Sequence, residues 1–81
     1  MKITLIAFAA LKDVLPENPL ISEVSEGTTA LELMEKLALD FSEAASILPY
    51  TRLAHEEDYL DKQAILKAHA EYCLIPPVSG G

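Results

Sequence analysis

The segment 29–41 constrains the fold more than any other part of the sequence. Thr29 and Glu32 have the spacing of a capping box, which predicts that a helix begins at Thr29. Apolar residues then recur at helical spacing, at Leu31, Met34, Leu37, Ala38 and Phe41. A chain of 81 residues has room for one core. We therefore expect this stripe to pack on that core rather than form a binding groove.

Strand-like segments lie on both sides of this helix. Residues 3–8 alternate with period two, and residues 20–24 follow a polar connection, which predicts an antiparallel hairpin. Further strands are expected at 50–54, briefly at 59–60, and at 71–75. This order predicts one α+β domain over residues 1–75, in which one main helix crosses a small mixed sheet. Residues 76–81 are expected to form an extended tail.

Shorter elements fill the connections. Residues 9–15 are predicted to form a helical turn, and residues 41–48 a second short helix that Ser42 caps and Pro49 ends. The carboxylate run 56–58 has two interpretations. It is the solvated tip of a hairpin, or it contacts a basic partner.

Composition excludes several classes of function. The net charge of −7 argues against binding nucleic acid or holding a phosphate-bearing molecule on this chain alone. No apolar run approaches the roughly 20 residues of a membrane span, and no secretion signal is present, so we expect the cytoplasm. Cys73 has no disulfide partner, and His55 and His69 stand alone, so no metal site is predicted.

Motifs of an independent active site are missing. The sequence holds no Ser or Cys with a His at motif spacing, and no glycine-rich phosphate loop. Its one cysteine, Cys73, has no basic neighbour in sequence that would activate the thiol, and we interpret it as a small apolar residue. Catalytic groups are therefore expected on partner proteins.

The end of the sequence, Pro76-Pro77-Val78-Ser79-Gly80-Gly81, has a distinct composition. The prolines cannot donate ladder hydrogen bonds and favour polyproline II geometry, so six such residues reach on the order of 18 Å beyond the last strand. The two glycines lack a Cβ and would pass through a narrow channel. This predicts a tail that inserts into another protein's active site. The alternatives are an end without function and residues added by cloning.

The predicted reactive group is the α-carboxylate of Gly81. It is ionised at neutral pH and can attack the α-phosphate of ATP to form an acyl adenylate. The activated acyl group then accepts sulfur and becomes a thiocarboxylate. No side chain of the protein is needed for this chemistry.

Four apolar residues are candidates for a contact surface beside the tail. Ile6 and Phe8 share one face of the first strand, Tyr59 lies on the fourth strand, and Ile75 ends the last one. Exposed together, they would form an interaction patch. The alternative is a second core face covered by a helix, although only one long helix is available.

The tail resembles the terminal signature of the small-subunit family of molybdopterin synthase, which are ubiquitin-like β-grasp sulfur carriers. The resemblance spans the whole chain. It includes Phe8-Ala9 with Leu11-Lys12-Asp13, the helix start Glu26-Gly27-Thr28-Thr29, Arg52-Leu53-Ala54, Tyr59, and Leu66.

This resemblance implies a function in molybdenum cofactor biosynthesis. An adenylyltransferase similar to the ubiquitin-activating enzyme would use ATP to adenylate Gly81, which is then thiocarboxylated, while the chain itself binds no cofactor. The tail would enter the large synthase subunit, in a heterotetramer of two small and two large subunits. Two carriers would supply the two dithiolene sulfurs to cyclic pyranopterin monophosphate. Gly80 matches the paired glycine, and Phe8 and Ile75 match apolar contact positions.

The chain departs from the family pattern before the last strand. Residues 66–70 replace the usual Leu-x-Asp-Gly-Asp turn, and His69 stands where glycine would supply a positive φ. His55-Glu56 likewise replaces a commoner Val-Asn. Other functions also stay open: a carrier for thiazole formation, tRNA thiolation or cysteine synthesis, and a ubiquitin-like modifier joined to lysines through Gly81.

Overall fold

The computed structural model of the protein describes residues 1–77. Its strands are β1 (Lys2–Ala7), β2 (Leu20–Glu23), β3 (Arg52–His55), β4 (Asp58–Tyr59) and β5 (Glu71–Ile75). Its α-helices are α1 (Ala9–Val14) and α2 (Ala30–Asp40), and two short 3₁₀ helices span Ser42–Ala44 and Leu48–Tyr50. Within residues 1–77, no helix is long and apolar enough to cross a membrane.

The five strands form one mixed sheet in the order β2-β1-β5-β3-β4. β1 pairs antiparallel with β2, which confirms the predicted hairpin, and parallel with β5. β3 pairs antiparallel with both β5 and β4. The strand formed last in sequence is therefore the middle strand of the sheet. With α2 as the one long helix, this arrangement confirms the predicted α+β class.

Alternation along the strands decides which side of the sheet is buried. Ile3, Leu5 and Ala7 of β1 and Tyr72 and Leu74 of β5 are buried, as their period-two pattern predicts. Buried side chains of both α-helices and of both 3₁₀ helices belong to the same core cluster. The helices therefore cover this inward face of the sheet.

The start of α2 has the predicted capping box. The side chain of Thr29 accepts a hydrogen bond from the backbone N–H of Glu32 at 3.2 Å, and the backbone N–H of Thr29 donates to Oε1 of Glu32 at 3.0 Å. These two bonds satisfy donors that a helix start would otherwise leave unpaired.

The predicted apolar stripe of α2 is partly wrong. The fully buried residues are Ala30, Leu33 and Leu37, whereas Leu31 is 37% exposed. Met34, Ala38 and Phe41 are partly buried at its border. Leucines occur on several sides of this helix, so spacing alone does not decide which of them meets the sheet. Contact with the sheet selects Leu33.

The segment after α2 also differs from the prediction. In place of one helix over 41–48, two 3₁₀ turns are present, and Ser42 makes no capping bond. Pro49 lies inside the second turn rather than ending a helix, because proline fits the first positions of a helical turn. β3 accordingly begins at Arg52, two residues later than predicted.

His69 has a φ of +63°, so a positive φ is present at the position where the family pattern has glycine. Its backbone N–H donates to the carbonyl of Lys2 at 2.8 Å, so the turn is tied to the start of β1. The loop thus keeps the geometry of a glycine turn with a histidine in place of glycine.

Candidate functional site

The predicted tail begins where β5 ends. Ile75 is the last residue of the strand and lies opposite Arg52 of β3. Pro76 is buried and Pro77 is exposed. Neither proline can donate to a neighbouring strand, so pairing stops there. Residues 78–81, with the predicted Val78, Ser79, Gly80 and Gly81, lie outside the described residues, and their roles stay predictions.

The face of the sheet opposite the helices, here called the outward face, is largely apolar near this point. Register places the following side chains on it, from β2 to β4: Ile21, Glu23, Lys2, Thr4, Ile6, Glu71, Cys73, Ile75, Arg52, Ala54 and Tyr59. The described helices pack on the other face. This face is therefore available to a partner.

The four predicted contact residues are all present on this side of the molecule. Ile6 and Ile75 are half-buried, and Tyr59 is 53% exposed opposite Ala54. Phe8 is 46% exposed and follows β1 in an extended conformation, with its N–H donating to the carbonyl of Leu74 at 3.2 Å. The alternative, a second core face beneath a helix, is wrong for this arrangement. That these residues bind a partner stays a prediction.

An interaction between Arg52 and Tyr59 was not predicted from the sequence. The guanidinium carbon of Arg52 lies 3.9 Å from the centroid of the Tyr59 ring, within the range of a cation–π contact. Tyr59 pairs with Ala54, so the two side chains are diagonal neighbours on one face of a hairpin. The correct register of β3 and β4 would have revealed this pair.

The carboxylate run forms the hairpin tip between β3 and β4, as one of its two interpretations predicts. Glu56 and Glu57 are exposed and have φ values of +48° and +73°. Positive φ at both central residues is the geometry of a type I′ turn, in which Asn-Gly is the favoured pair. Contact of this tip with a basic partner stays untested.

Conventional catalytic chemistry finds little support in the described part of the chain. Residues 1–77 contain no group of three or more His, Cys, Asp or Glu side chains placed to hold a metal ion. Cys73 is a half-buried free thiol. A groove of about 550 Å³ lies between α2 and β3, lined by apolar residues such as Met34 and Leu60 together with exposed polar ones. It contains no nucleophile paired with a base.

The family model described as the ThiS family matches residues 5–81. The chain belongs to the ThiS family. Two relatives carry the name molybdopterin synthase sulfur carrier subunit. The one from Arabidopsis thaliana is 27% identical over 81 residues, covering 100% of this chain and 84% of the relative. The one from Dictyostelium discoideum is 28% identical over 80 residues, covering 95% of this chain and 93% of the relative.

Solved structures share the fold of this ThiS-family chain. A molybdopterin converting factor subunit 1 from Pyrococcus furiosus has a TM-score of 0.83 at 18% identity, covering 95% of this chain and 98% of that one. The H. volcanii small archaeal modifier protein 1 has a TM-score of 0.80 at 15% identity, with coverage of 95% and 98%. A complex of subunits 1 and 2 of the molybdopterin-converting factor from Helicobacter pylori has a TM-score of 0.69 at 20% identity, covering 100% of this chain and 100% of that one. These matches confirm the ubiquitin-like β-grasp fold.

Proposed function

We propose that this member of the ThiS family is the sulfur carrier subunit of a molybdopterin synthase, with the sulfur carried on Gly81. The observation that supports this most directly is the match, across the whole chain, to two relatives named molybdopterin synthase sulfur carrier subunit. The sequence also ends in Gly80-Gly81 after two prolines, which suits it to deliver a terminal carboxylate.

The first chemical step is activation of Gly81. Its carboxylate oxygen attacks the α-phosphate of ATP held by an adenylyltransferase, and pyrophosphate leaves, which gives an acyl adenylate. ATP belongs to that enzyme, because an isolated domain with a net charge of −7 repels phosphates. With sulfide as the simplest source, sulfur adds to the acyl carbon, AMP leaves with the bonding electrons, and loss of the thiol proton gives the thiocarboxylate.

The second step is delivery to the large synthase subunit. The tail enters that subunit's active site, and the thiocarboxylate sulfur is transferred to cyclic pyranopterin monophosphate. Because a dithiolene contains two sulfurs, two carriers are used, in keeping with a heterotetramer of two small and two large subunits. In each transfer the thiocarboxylate sulfur bonds to a carbon of the pterin compound and displaces an oxygen substituent there, which leaves Gly81 joined to it through a thioester. Water then cleaves the bond between the acyl carbon and sulfur, so the sulfur stays on the pterin compound and Gly81 regains its carboxylate.

The described residues serve this delivery by fixing the start of the tail. Leu74 pairs with Ala7 of β1, Ile75 pairs with Arg52 of β3, and Pro76 is buried, so the chain leaves the sheet from a rigid base. A partner that binds the outward face, through Phe8, Ile6, Tyr59 and Ile75, would receive the tail at a defined distance. Pre-organisation of this kind lowers the entropy lost on binding.

Mass spectrometry of the intact chain tests the proposal. The protein is incubated with ATP, the adenylyltransferase and sulfide, and we expect one oxygen at the C-terminus to be replaced by one sulfur. A variant lacking Gly81 should keep the fold, measured by circular dichroism, and gain no sulfur. An unchanged mass for the intact chain would contradict the proposal, as would sulfur gain by the truncated one.

The modifier function gives a different result in the same assay. A modifier would form conjugates between Gly81 and lysine side chains, which appear as new species of higher mass. Such conjugates, without a gain of sulfur at the C-terminus, would favour that alternative.

The predicted contact surface needs its own test. Phe8→Asp places a charge on an exposed apolar residue of this surface, and we expect at least about tenfold weaker binding to the large subunit. Leu39→Asp is the matched control, since Leu39 is 86% exposed on α2, on the opposite side of the sheet. Equal loss for both variants would contradict the predicted surface.

A further inference from the structure

Arg52 lies at the point where the chain leaves the sheet. It is the first residue of β3 and pairs with Ile75, the last residue of β5. Its side chain is exposed on the outward face, next to the apolar residues of the predicted contact surface. A partner that takes up the tail must therefore approach this guanidinium.

Within residues 1–77, the guanidinium of Arg52 contacts the Tyr59 ring and has no hydrogen-bond or ion-pair partner. The guanidinium carbon lies 3.9 Å from the ring centroid, and a cation–π attraction of this kind does not occupy the N–H donors as a hydrogen bond to an acceptor would. Within residues 1–77, Lys36 is ion-paired with Asp40, and Nε2 of His55 lies 3.7 Å from a carboxylate oxygen of Glu56. No carboxylate in that part of the chain lies within 4.0 Å of Arg52. The ring thus fixes the guanidinium in place without satisfying its donors.

Charge makes this arginine unusual on the molecule. The sequence has 13 acidic residues and 6 basic ones, and three of the acidic residues form the nearby hairpin tip 56–58. In such a chain a partner surface is expected to be basic or neutral. Within residues 1–77, the outward face carries two basic side chains, Arg52 and Lys2, and Lys2 lies at the opposite end of β1 from Phe8, away from the start of the tail. One acidic side chain on a partner that takes up the tail would therefore meet Arg52 as the complementary charge at that end of the sheet, and like charges elsewhere would disfavour other orientations.

We propose that Arg52, positioned by the Tyr59 ring, forms a two-pronged ion pair with a carboxylate of the large synthase subunit, and that this pair sets the orientation in which the subunit docks. The inference rests on the proposed function. A carboxylate fits because its two oxygens match the parallel N–H donors of a guanidinium edge. Arg52 is then a specificity residue for the partner, and Tyr59 is its positioning residue.

Calorimetric titration of the full-length chain with the large subunit tests this pair. Arg52→Gln should weaken binding at least about tenfold, because it leaves the partner's carboxylate desolvated and unpaired. Arg52→Lys should recover only part of the affinity, since a lysine lacks the planar fork. Binding of the wild-type chain should also weaken more steeply with added salt than binding of Arg52→Gln.

Lys36→Gln is the matched control, because it removes the same charge from a residue on α2 that is ion-paired to Asp40. We expect its affinity to equal that of the wild type. If Arg52→Gln binds as tightly as the wild type, or if Lys36→Gln loses as much, the inference is overturned and the proposed function is untouched. If the wild-type chain does not bind the large subunit at all, the proposed function itself fails.

A double-mutant cycle tests the role of Tyr59. Tyr59→Leu keeps an apolar side chain and removes the aromatic face. If the ring positions the guanidinium, the loss caused by Arg52→Gln should be at least about threefold smaller in the Tyr59→Leu background than in the wild type. Equal losses in both backgrounds would overturn the positioning role.

Discussion

The side-chain amide of Asn18 pairs with the backbone of Ala7 in the manner of a neighbouring strand. The N–H of Ala7 donates to Oδ1 of Asn18 at 2.9 Å, and Nδ2 of Asn18 donates to the carbonyl of Ala7 at 3.1 Å. β2 begins only at Leu20, which pairs with Leu5. Asn18 therefore extends the pairing of β1 to the residue before Phe8.

Asn18→Ala should lower the free energy of unfolding by about 1–3 kcal/mol, because both backbone groups of Ala7 lose their partner in a partly buried place. Urea denaturation followed by circular dichroism measures this loss. Asn18→Asp is the control, since its carboxylate can still accept from the N–H of Ala7 but cannot donate to the carbonyl. A smaller loss is expected for Asn18→Asp, and a loss equal to that of Asn18→Ala would show that the retained bond, from the N–H of Ala7 to Oδ1, contributes nothing.

A pair of leucine variants tests which side of α2 meets the core. Leu33 is fully buried and Leu31 is 37% exposed. Leu33→Ala should cost about 2–5 kcal/mol of unfolding free energy because it leaves a cavity in the core. Leu31→Ala should cost less than about 1 kcal/mol. Similar losses for the two variants in urea denaturation would contradict the position of the stripe.

The hairpin tip offers a stabilising substitution. Glu56 and Glu57 both have positive φ, which costs about 1–2 kcal/mol per residue for side chains with a Cβ. Glu56→Asn with Glu57→Gly should raise the free energy of unfolding by about 1 kcal/mol, because part of that gain is offset by the entropy of glycine in the unfolded chain.

The control for this hairpin substitution is the double variant Glu56→Gln with Glu57→Gln, which removes the same two charges and keeps side chains of similar size. Thermal unfolding of the two variants separates strain from charge repulsion. If the glutamine variant is stabilised as much as the Asn-Gly variant, repulsion among the carboxylates rather than backbone strain is the cause.

The hydroxyl of Tyr72 holds the loop before β5. It accepts a hydrogen bond from the backbone N–H of Lys67 at 2.8 Å, and the tyrosine itself is buried. Tyr72→Phe should cost about 1–2 kcal/mol, since the N–H of Lys67 loses its partner. Amide hydrogen exchange provides the second measurement, and faster exchange at Lys67 is expected. Unchanged exchange would mean that this bond does not hold the loop.

Local signals made the elements predictable. Thr29 and Glu32 predict the start of α2, because both halves of the capping box lie within four residues of each other. Alternation in 3–8 and 71–75 is also a local signal, and it correctly groups the side chains that share a face of the sheet. The geometry at His69 was not predictable in this way, because a histidine adopts a positive φ only uncommonly, and the structure shows a φ of +63° there.

Long-range contacts determine the orientation of α2 and the strand pairing, which the sequence pattern does not predict. The first turn of α2 is fixed by bonds from Ala30 to Ala64 and from Leu31 to Lys62, and these orient the helix so that Leu33 faces the sheet. The parallel pairing of β1 with β5 joins opposite ends of the described chain. No local spacing encodes such a pairing. The Arg52–Tyr59 stacking depends on the register of β3 and β4, which a two-residue strand barely signals.

The central place of β5 has a consequence for synthesis of the protein. Ribosomes make the N-terminal part of a chain first, yet here β1 and β3 cannot be joined until β5 has emerged and inserted between them. A chain cut short before β5 would leave two exposed strand edges, which mark it for aggregation or degradation. Only polypeptides translated through Ile75 can complete the sheet, so every folded molecule extends at least to the start of the tail.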